Sequence, residues 1–382
     1  MSIATEIERL KKAKTDLFRA VTAKGGVLDV SQKLDEYASG VDTIPLAVEG
    51  SGKYRVRFFD YDGTILKTVC TDGGAVTAPS VPEHERLLFQ EWNNDLDDIS
   101  SDLDVGAIYT TKSGMSEFDF DLNAQTGKSV TVRMNVLVSG VVIEWGDGVI
   151  ETITATGAAD FTHEYSSYGK YTVKVSGSWQ AAGYFCPDNG QNRYMLTAAH
   201  LAGVSGMDNM FFNCCALRSI TADTAVNQIS SNAFQGTVIP HLNVPRNMPS
   251  VINFLLQAGK LKTVSLPRNF DLSKGAAFGN CSCLQEILLP QTAVLGADTF
   301  KHTALAQVEI PGTVTNIQGF CFGSAASLFK VVMKPAVPPV LATNSFPADG
   351  SLKEIIVPAG CGEAYKSATN WSTFADIIKE EE

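Results

Sequence analysis

The chain has 382 residues, 45% of them apolar and 19% charged, and a formal net charge of -11. At about 150 residues per domain this is roughly two to four domains with ample material for a core. The acidic balance leaves no basic footprint of the kind a nucleic-acid binder needs to displace counterions, and no run of 18 or more apolar residues exists to span a membrane.

Residues 1–46 read as a short helical unit. Thr5 and Glu8 form a capping box. Ile3, Ile7, Leu10, Lys14, Leu17 and Val21 step by 4, 3, 4, 3 and 4, a heptad seam with one polar member. Lys24-Gly25-Gly26 ends this helix, and a second runs from about Ser31 to Ala38. The first is too short to be a stable coiled coil alone, so it packs on its hairpin partner, on sister chains in a homotrimer, or on a larger assembly. Lys11, Lys12 and Lys14 are flanked by Glu6, Glu8 and Asp16 and read as a solvated face. A charged, helical start differs from a signal peptide, so the expectation is a chain not exported by that route, or one whose leader has been removed. Pro45 through Gly52 reads as a linker.

Residues 53–111 are a small β-module. Tyr54, Val56 and Phe58 alternate with Arg55, Arg57 and Phe59, Asp60 to Thr64 makes a turn, and Ile65, Lys67 and Val69 form the return strand. Ala75 to Pro82 is an extended connection, and Leu88–Trp92 and Val105–Tyr109 supply further strands. Residues 112–178 are a second β-module with strands near Phe118–Leu122, Val130–Val138, Val141–Trp145, Val149–Thr154 and Tyr171–Val175. Short strands separated by turn signals suggest a sandwich.

Residues 179–382 repeat. Phe recurs at 212, 234, 254, 278, 300, 322 and 346, in steps of 20 to 24. Five to seven residues later come Leu217, Ile239, Leu261, Leu284, Leu305, Leu328 and Leu352, then an alternating apolar pair and usually a Pro. Leu261-Lys-Thr-Val264-Ser-Leu266-Pro267 and Leu305-Ala-Gln-Val308-Glu-Ile310-Pro311 are clear copies. Each copy supplies one short strand whose apolar residues no single copy can enclose, so the copies must stack around a continuous spine. Asp223 replaces Pro in the first copy, where a cap would begin.

The Phe...Leu-x-x-Ile-x-Leu-Pro pattern resembles the BspA-like leucine-rich repeats of gut and oral bacteria, over residues 200–382, and Tyr365-Lys-Ser-Ala...Trp371 looks like that family's end segment. Val56-Arg-Phe58-Phe-Asp60-Tyr-Asp62-Gly63-Thr64, Ala78-Pro79 and Phe89-Gln-Glu-Trp92 resemble the internalin B-type (Listeria–Bacteroides) β-grasp repeat, with Glu91 where that family carries Gly. Val142-Ile-Glu-Trp145-Gly146-Asp147-Gly148, Phe161-Thr-His163-Glu-Tyr165 and Gly169-Lys-Tyr171-Thr-Val173 resemble a PKD domain, an immunoglobulin-like sandwich. These resemblances imply spacer and adhesion modules. Residues 1–44 are similar to the start of gut-phage tail-associated proteins.

Few residues invite a catalytic reading. A strand followed by Asp60-Tyr-Asp62-Gly63-Thr64 is also the first motif of haloacid-dehalogenase-type phosphatases, in which the two Asp would be nucleophile and general acid around Mg²⁺. That chemistry needs a doubly wound α/β domain, whereas short strands follow here; the same letters make a hairpin turn. Trp145 reads as core and Asp147-Gly148 as a turn. The acidic run Asp95, Asp97, Asp98, Asp102 and Asp104 resembles a calcium loop but lacks its Gly and its closing bidentate Glu. The five His, at 84, 163, 200, 241 and 302, have no metal spacing. The eight Cys, at 70, 186, 214, 215, 281, 283, 321 and 361, form no C-x-x-C pair. Most sit where a repeat would bury a small apolar residue; a disulfide framework and a metal are the alternatives.

The expectation is a mainly β, multidomain, non-enzymatic protein without cofactor: a helical unit at 1–46, a β-grasp repeat at 53–111, a PKD-like sandwich at 112–178 and a leucine-rich repeat solenoid at 179–382. Its first functional reading is a phage tail-associated or receptor-binding protein, docked to virion tail proteins through residues 1–46 and presenting the solenoid to a bacterial surface protein or glycan. The alternative is a BspA-like bacterial cell-surface or secreted adhesin; the ending Lys379-Glu-Glu-Glu382 shows no sorting signal. Residues that alternate with the core, Lys262, Gln285, Glu286, Gln307, Glu309, Lys353 and Glu354, are the expected ligand-facing set.

Overall fold

The structure, a computed structural model, describes residues 48–186 and 191–381. The helical unit expected at 1–46 lies outside the described residues. The chain divides into two compact bodies: residues 48–60, Thr64–Val81 and Asp95–Leu103 in one, and Tyr61–Gly63, Pro82–Asn94 and 104–381 in the other.

In the first body, β1 (Val48–Glu49) lies parallel to β3 (Ile65–Thr71), which pairs antiparallel with β2 (Tyr54–Phe59). Val56, Phe58 and Phe59 are all buried, so both faces of β2 are covered. The Asp60 amide donates to the Thr64 carbonyl at 2.8 Å and closes the hairpin turn, and Gly63 takes φ +91°, which favours glycine.

In the second body, β4 (Leu87–Trp92) and β5 (Leu103–Thr111) pair antiparallel. Then come β6 (Ser116–Leu122), β7 (Ser129–Val136), β8 (Val141–Glu144), β9 (Ile150–Ile153), β10 (Gly157–Glu164), β11 (Gly169–Ser176) and β12 (Trp179–Ala181). They form two sheets, β10-β7-β12 and β6-β11-β8-β9, whose buried side chains share one core. In β7, Val130, Val132, Met134 and Val136 point inward and alternate with more accessible residues, the period of a half-buried strand. Trp145 is buried at the centre; the Tyr165 hydroxyl donates to its carbonyl at 2.7 Å.

The second sheet does not stop at the sandwich. β13 (Leu196–His200) pairs antiparallel with β6, and β15 (Ser219–Thr221) pairs parallel with β13. Between them in sequence lies β14 (Gly206–Met207), parallel to β16 (Gln228–Ile229). The first repeat strands thus extend the sandwich sheet, so the end of the ladder is hydrogen-bonded rather than open. β17 (His241–Asn243) pairs parallel with β18 (Thr263–Ser265), and a later ladder runs β20 (Gln307–Ile310), β22 (Lys330–Met333), β24 (Glu354–Val357) and β25 (Ile378–Glu380). A second column of two-residue strands is formed by β19 (Val294–Leu295), β21 (Asn316–Ile317) and β23 (Val340–Leu341). The copy at 284–290 carries no assigned strand.

The third side of each coil is an arc centred on a large apolar residue. Here the structure corrects the register read from the Phe spacing. The centres are Phe211, Phe234, Leu255, Phe278, Phe300, Phe322 and Phe346: the first six are flanked two residues away on both sides by left-handed positions, Asn209 and Asn213, Asn232 and Gly236, Asn253 and Gln257, Ala276 and Asn280, Asp298 and His302, Phe320 and Ser324, and Phe346 is preceded by Asn344. Phe212 is only half-buried and packs on Tyr184, with ring centroids 5.1 Å apart. Phe254 is buried, but beside the arc centre, edge-on to Phe234. Stacking is regular from Phe278 onward: ring centroids are 5.5, 5.2 and 5.4 Å apart through Phe300, Phe322 and Phe346, with interplanar angles of 14° or less. Leu217, Ile239, Leu261, Leu284, Leu305, Leu328 and Leu352 are all buried, as the repeat required.

The short helix Gly362–Ser367, the 3-10 segment Trp371–Ile377 and β25 end the solenoid. The Trp371 indole donates to the Pro339 carbonyl at 2.8 Å and the Tyr365 hydroxyl to the Pro335 carbonyl at 2.7 Å. Among the described residues no helix is long and apolar enough to cross a membrane.

Candidate binding face

Strand side chains that alternate with the core form the outer face of the ladder, but this face is not uniformly open. Over the first coils it is covered by residues from β4, β5 and the turn after β4. Asn93 Nδ2 donates to the carbonyls of Val244 and Ser265, each at 3.0 Å, and Asn94 Nδ2 to that of Leu266 at 2.9 Å. The Arg268 amide donates to Asn94 Oδ1 at 2.7 Å, and Asn243 Nδ2 donates to the Ala107 carbonyl at 3.1 Å. Gly106 lies so close to the Asn243 side chain that a Cβ could not fit. Asp223, which stands where other copies carry Pro, is buried and accepts from the Gly203 amide at 2.8 Å and the Thr110 hydroxyl at 3.3 Å. Consequently His241, Asn243 and Ser265 are buried although polar and outward in the strand pattern.

The open part is the four-stranded ladder β20-β22-β24-β25. Its register aligns Gln307, Lys330 and Glu354 in one outward column and Glu309, Val332, Ile356 and Lys379 in the next. At ~4.8 Å between strands the face is about 14 Å across. Glu354 takes Lys379 at 2.9 Å and Lys330 at 3.3 Å, and these two ammonium groups hold its carboxyl below the ordinary carboxylate range. Lys334 reaches Glu309 at 3.6 Å and Glu381 at 3.2 Å.

The expected ligand-facing residues therefore divide. Gln307, Glu309 and Lys353 are exposed; Glu354 is half-buried within the ion-pair row. Lys262, Gln285 and Glu286 are half-buried and lie outside the four-stranded ladder. Val332 and Ile356, absent from the sequence-derived set, stand in the outward column between Glu309 and Lys379. The strand alternation that selected Glu309 would have selected them had apolar letters not been assigned inward.

The other chemistry-bearing residues are engaged in the fold. Asp60 and Asp62 sit at the antiparallel β2–β3 hairpin, not at a strand-to-helix crossover. His163 Nε2 lies 2.7 Å from Asp147 Oδ2 and its ring stacks on Trp145, with centroids 5.1 Å apart; this hydrogen bond holds the Asp147 carboxyl below its usual range. No group of three or more His, Cys, Asp or Glu among the described residues is placed to hold a metal ion, the acidic run 95–104 included. All eight Cys are free thiols. Cys214, Cys281 and Cys321 are fully buried in the coils, and burial pushes the Cys281 thiol up to about 12.

The coil geometry has a counterpart among known families. Residues 207–329 match the BspA type Leucine rich repeat region, in six copies. A seventh arc, at Phe346, follows the matched segment, with its ring stacked on Phe322. Among solved structures, a leucine-rich repeat protein from Bacteroides ovatus ATCC 8483 aligns at 16% identity, over 64% of this chain and 75% of that one, with a TM-score of 0.38. A leucine rich cell surface protein from Faecalibacterium prausnitzii A2-165 aligns at 18% identity, over 49% of this chain and 60% of that one, with a TM-score of 0.31. No curated protein matches the chain.

Proposed function

We propose that this is a non-enzymatic, surface-displayed binding protein of the adhesion type. In it the BspA-type solenoid meets a protein or glycan through the open ladder β20-β22-β24-β25. The observation that carries this reading is the contrast between the two halves of one outer face: buried under Asn93 and Asn94 over the first coils, accessible and mixed in character from Gln307 to Lys379. A pair of apolar side chains ringed by charges is the usual anatomy of a protein contact, with an apolar centre and a polar rim. The β-grasp and PKD assignments for 53–111 and 112–178 belong to the same proposal.

The virion-tail reading and the trimer rest on residues 1–46, and no observation on the described residues favours them. Limited proteolysis of intact producing cells separates the two locations. Release of solenoid peptides from unbroken cells supports the surface reading. Their recovery only from purified phage particles would overturn it.

A further inference from the structure

Sheet edges in this protein are short or irregular, with one exception. Among the described residues, the strands at sheet edges hold two to four residues, except for β4, which a register shift interrupts, and β10. Short length and bulges are the usual guards against pairing with another chain. β10, the edge of the sandwich sheet β10-β7-β12, has neither. Its eight residues, Gly157–Glu164, run in unbroken antiparallel register with β7. They include no Pro and no Lys, and six of them are exposed.

The backbone of this edge has a defined alternation. Arg133 stands opposite Asp160, and its amide donates away from β10, to the Phe185 carbonyl at 3.0 Å. Just beyond the paired residues, the Tyr165 amide donates towards β7, to the Lys128 carbonyl at 2.9 Å. Bonding alternates along an antiparallel pair, so Gly157, Ala159, Phe161 and His163 turn their backbone groups to β7. Ala158, Asp160, Thr162 and Glu164 turn theirs outward, where no other described strand pairs with them. Phe161 stands opposite the buried Val132 and is half-buried against the sandwich core. On the other face of the sheet, Arg133 Nη2 holds Asp160 Oδ2 at 2.8 Å, and the hydroxyls of Thr131 and Thr162 share a hydrogen bond of 2.8 Å.

From this we infer that β10 is a self-association edge whose occupant is β10 of a second copy of this chain, paired antiparallel about a two-fold axis at Phe161. The charges of the edge select both the occupant and the register. With Phe161 opposite Phe161 of the copy, Asp160 meets Thr162 and Ala158 meets Glu164. Every outward amide then finds an outward carbonyl, and no like charges face each other. Sliding by two residues sets Asp160 against Asp160 of the copy in one direction and against Glu164 in the other, and like charges directly opposite are destabilising. Sliding by one sets outward backbone groups against inward ones. In the selected register the two Phe161 side chains form a close, non-hydrogen-bonded pair on the core face, and each Thr162 hydroxyl stands beside an Asp160 carboxylate. The contact is isologous and makes one continuous sheet, β12-β7-β10-β10-β7-β12. The coils begin at its outer edges, where β12 lies beside β14, so the two solenoids leave the contact on opposite sides. The inference is independent of the ladder face proposed above.

The test is sedimentation equilibrium of the full chain from micromolar to submillimolar concentration, with hydrogen exchange followed over the same range. The expected result is a reversible association in which exchange at the amides of Ala158, Asp160, Thr162 and Glu164 slows as concentration rises. Thr162→Pro removes an outward amide and no bond to β7, a place where an edge strand accepts Pro, and should weaken association at least tenfold. Thr162→Glu, set against Asp160 of the copy, should weaken it likewise, whereas Thr162→Lys should leave it intact or tighten it. No association over the whole range, exchange in β10 that is independent of concentration, or undiminished association of a folded Thr162→Pro protein would each overturn the inference. Should that variant fail to fold, the charge pair decides: equal association by Thr162→Glu and Thr162→Lys would overturn it.

Discussion

Phe300→Ala probes the stacked spine directly. Phe300 is fully buried, with Phe278 and Phe322 on either side at 5.5 and 5.2 Å. Truncating a buried Phe to Ala typically costs about 3–5 kcal/mol, and losing two ring contacts of about 0.5–1.5 kcal/mol each places this site toward the upper end. A domain is stable by only about 5–15 kcal/mol, so the loss is large. In a solenoid it is also local, since coils are coupled chiefly to their neighbours. Hydrogen exchange read by mass spectrometry should show lost protection in the arcs at 278, 300 and 322, while β7 and β11 of the sandwich keep theirs. Urea unfolding should become two-stepped. A cost below about 1 kcal/mol, or equal loss of protection in the sandwich, would refute the nearest-neighbour reasoning.

His200 gives a pH dependence. Burial, aided by the nearby positive charge of Arg86, lowers its pKa to about 4 from an ordinary 6.5. The unfolded chain takes up a proton on this ring as pH falls through 6.5, and the folded chain does not until about 4, so stability declines across that window. The loss is about 3 kcal/mol by pH 4, and chemical denaturation of His200→Gln at pH 7 and pH 4.5 should show a correspondingly smaller difference. Asn93→Leu removes the side-chain donor to the buried Val244 and Ser265 carbonyls, the second of which also accepts from the Val244 amide. It should cost about 1–3 kcal/mol and loosen the covering segment, seen as new proteolytic cleavage between residues 82 and 111.

The repeat region was legible because its information is local. A Phe, a Leu or Ile five to seven residues on and an alternating pair recur from copy to copy, and burial of all seven Leu-position residues follows from that. The arc register was less legible where two large apolar residues adjoin, at Phe211-Phe212 and Phe254-Leu255. The discriminating signal was present in Asn209 and Asn213, polar residues four apart that accept left-handed backbone. β10 went unread because it is an edge strand, and Gly157 to Asp160 are all exposed, leaving no apolar alternation to detect. The cover over the first coils is a tertiary event. Asn243, Thr263 and Ser265 look like an ordinary wet face until residues more than a hundred positions earlier are folded onto them. That is why the expected ligand-facing set spread over the whole solenoid and included Lys262, Gln285 and Glu286.

We propose binding at the open ladder from Gln307 to Lys379. It is tested most directly by probing an array of glycans and extracellular proteins with the labelled full chain, with a Val332→Asp/Ile356→Asp double variant, and with a Lys262→Glu variant outside the ladder. Signals should survive Lys262→Glu and fall at least tenfold in the double variant. Signals equally strong in the double variant, or lost on Lys262→Glu alone, would contradict it.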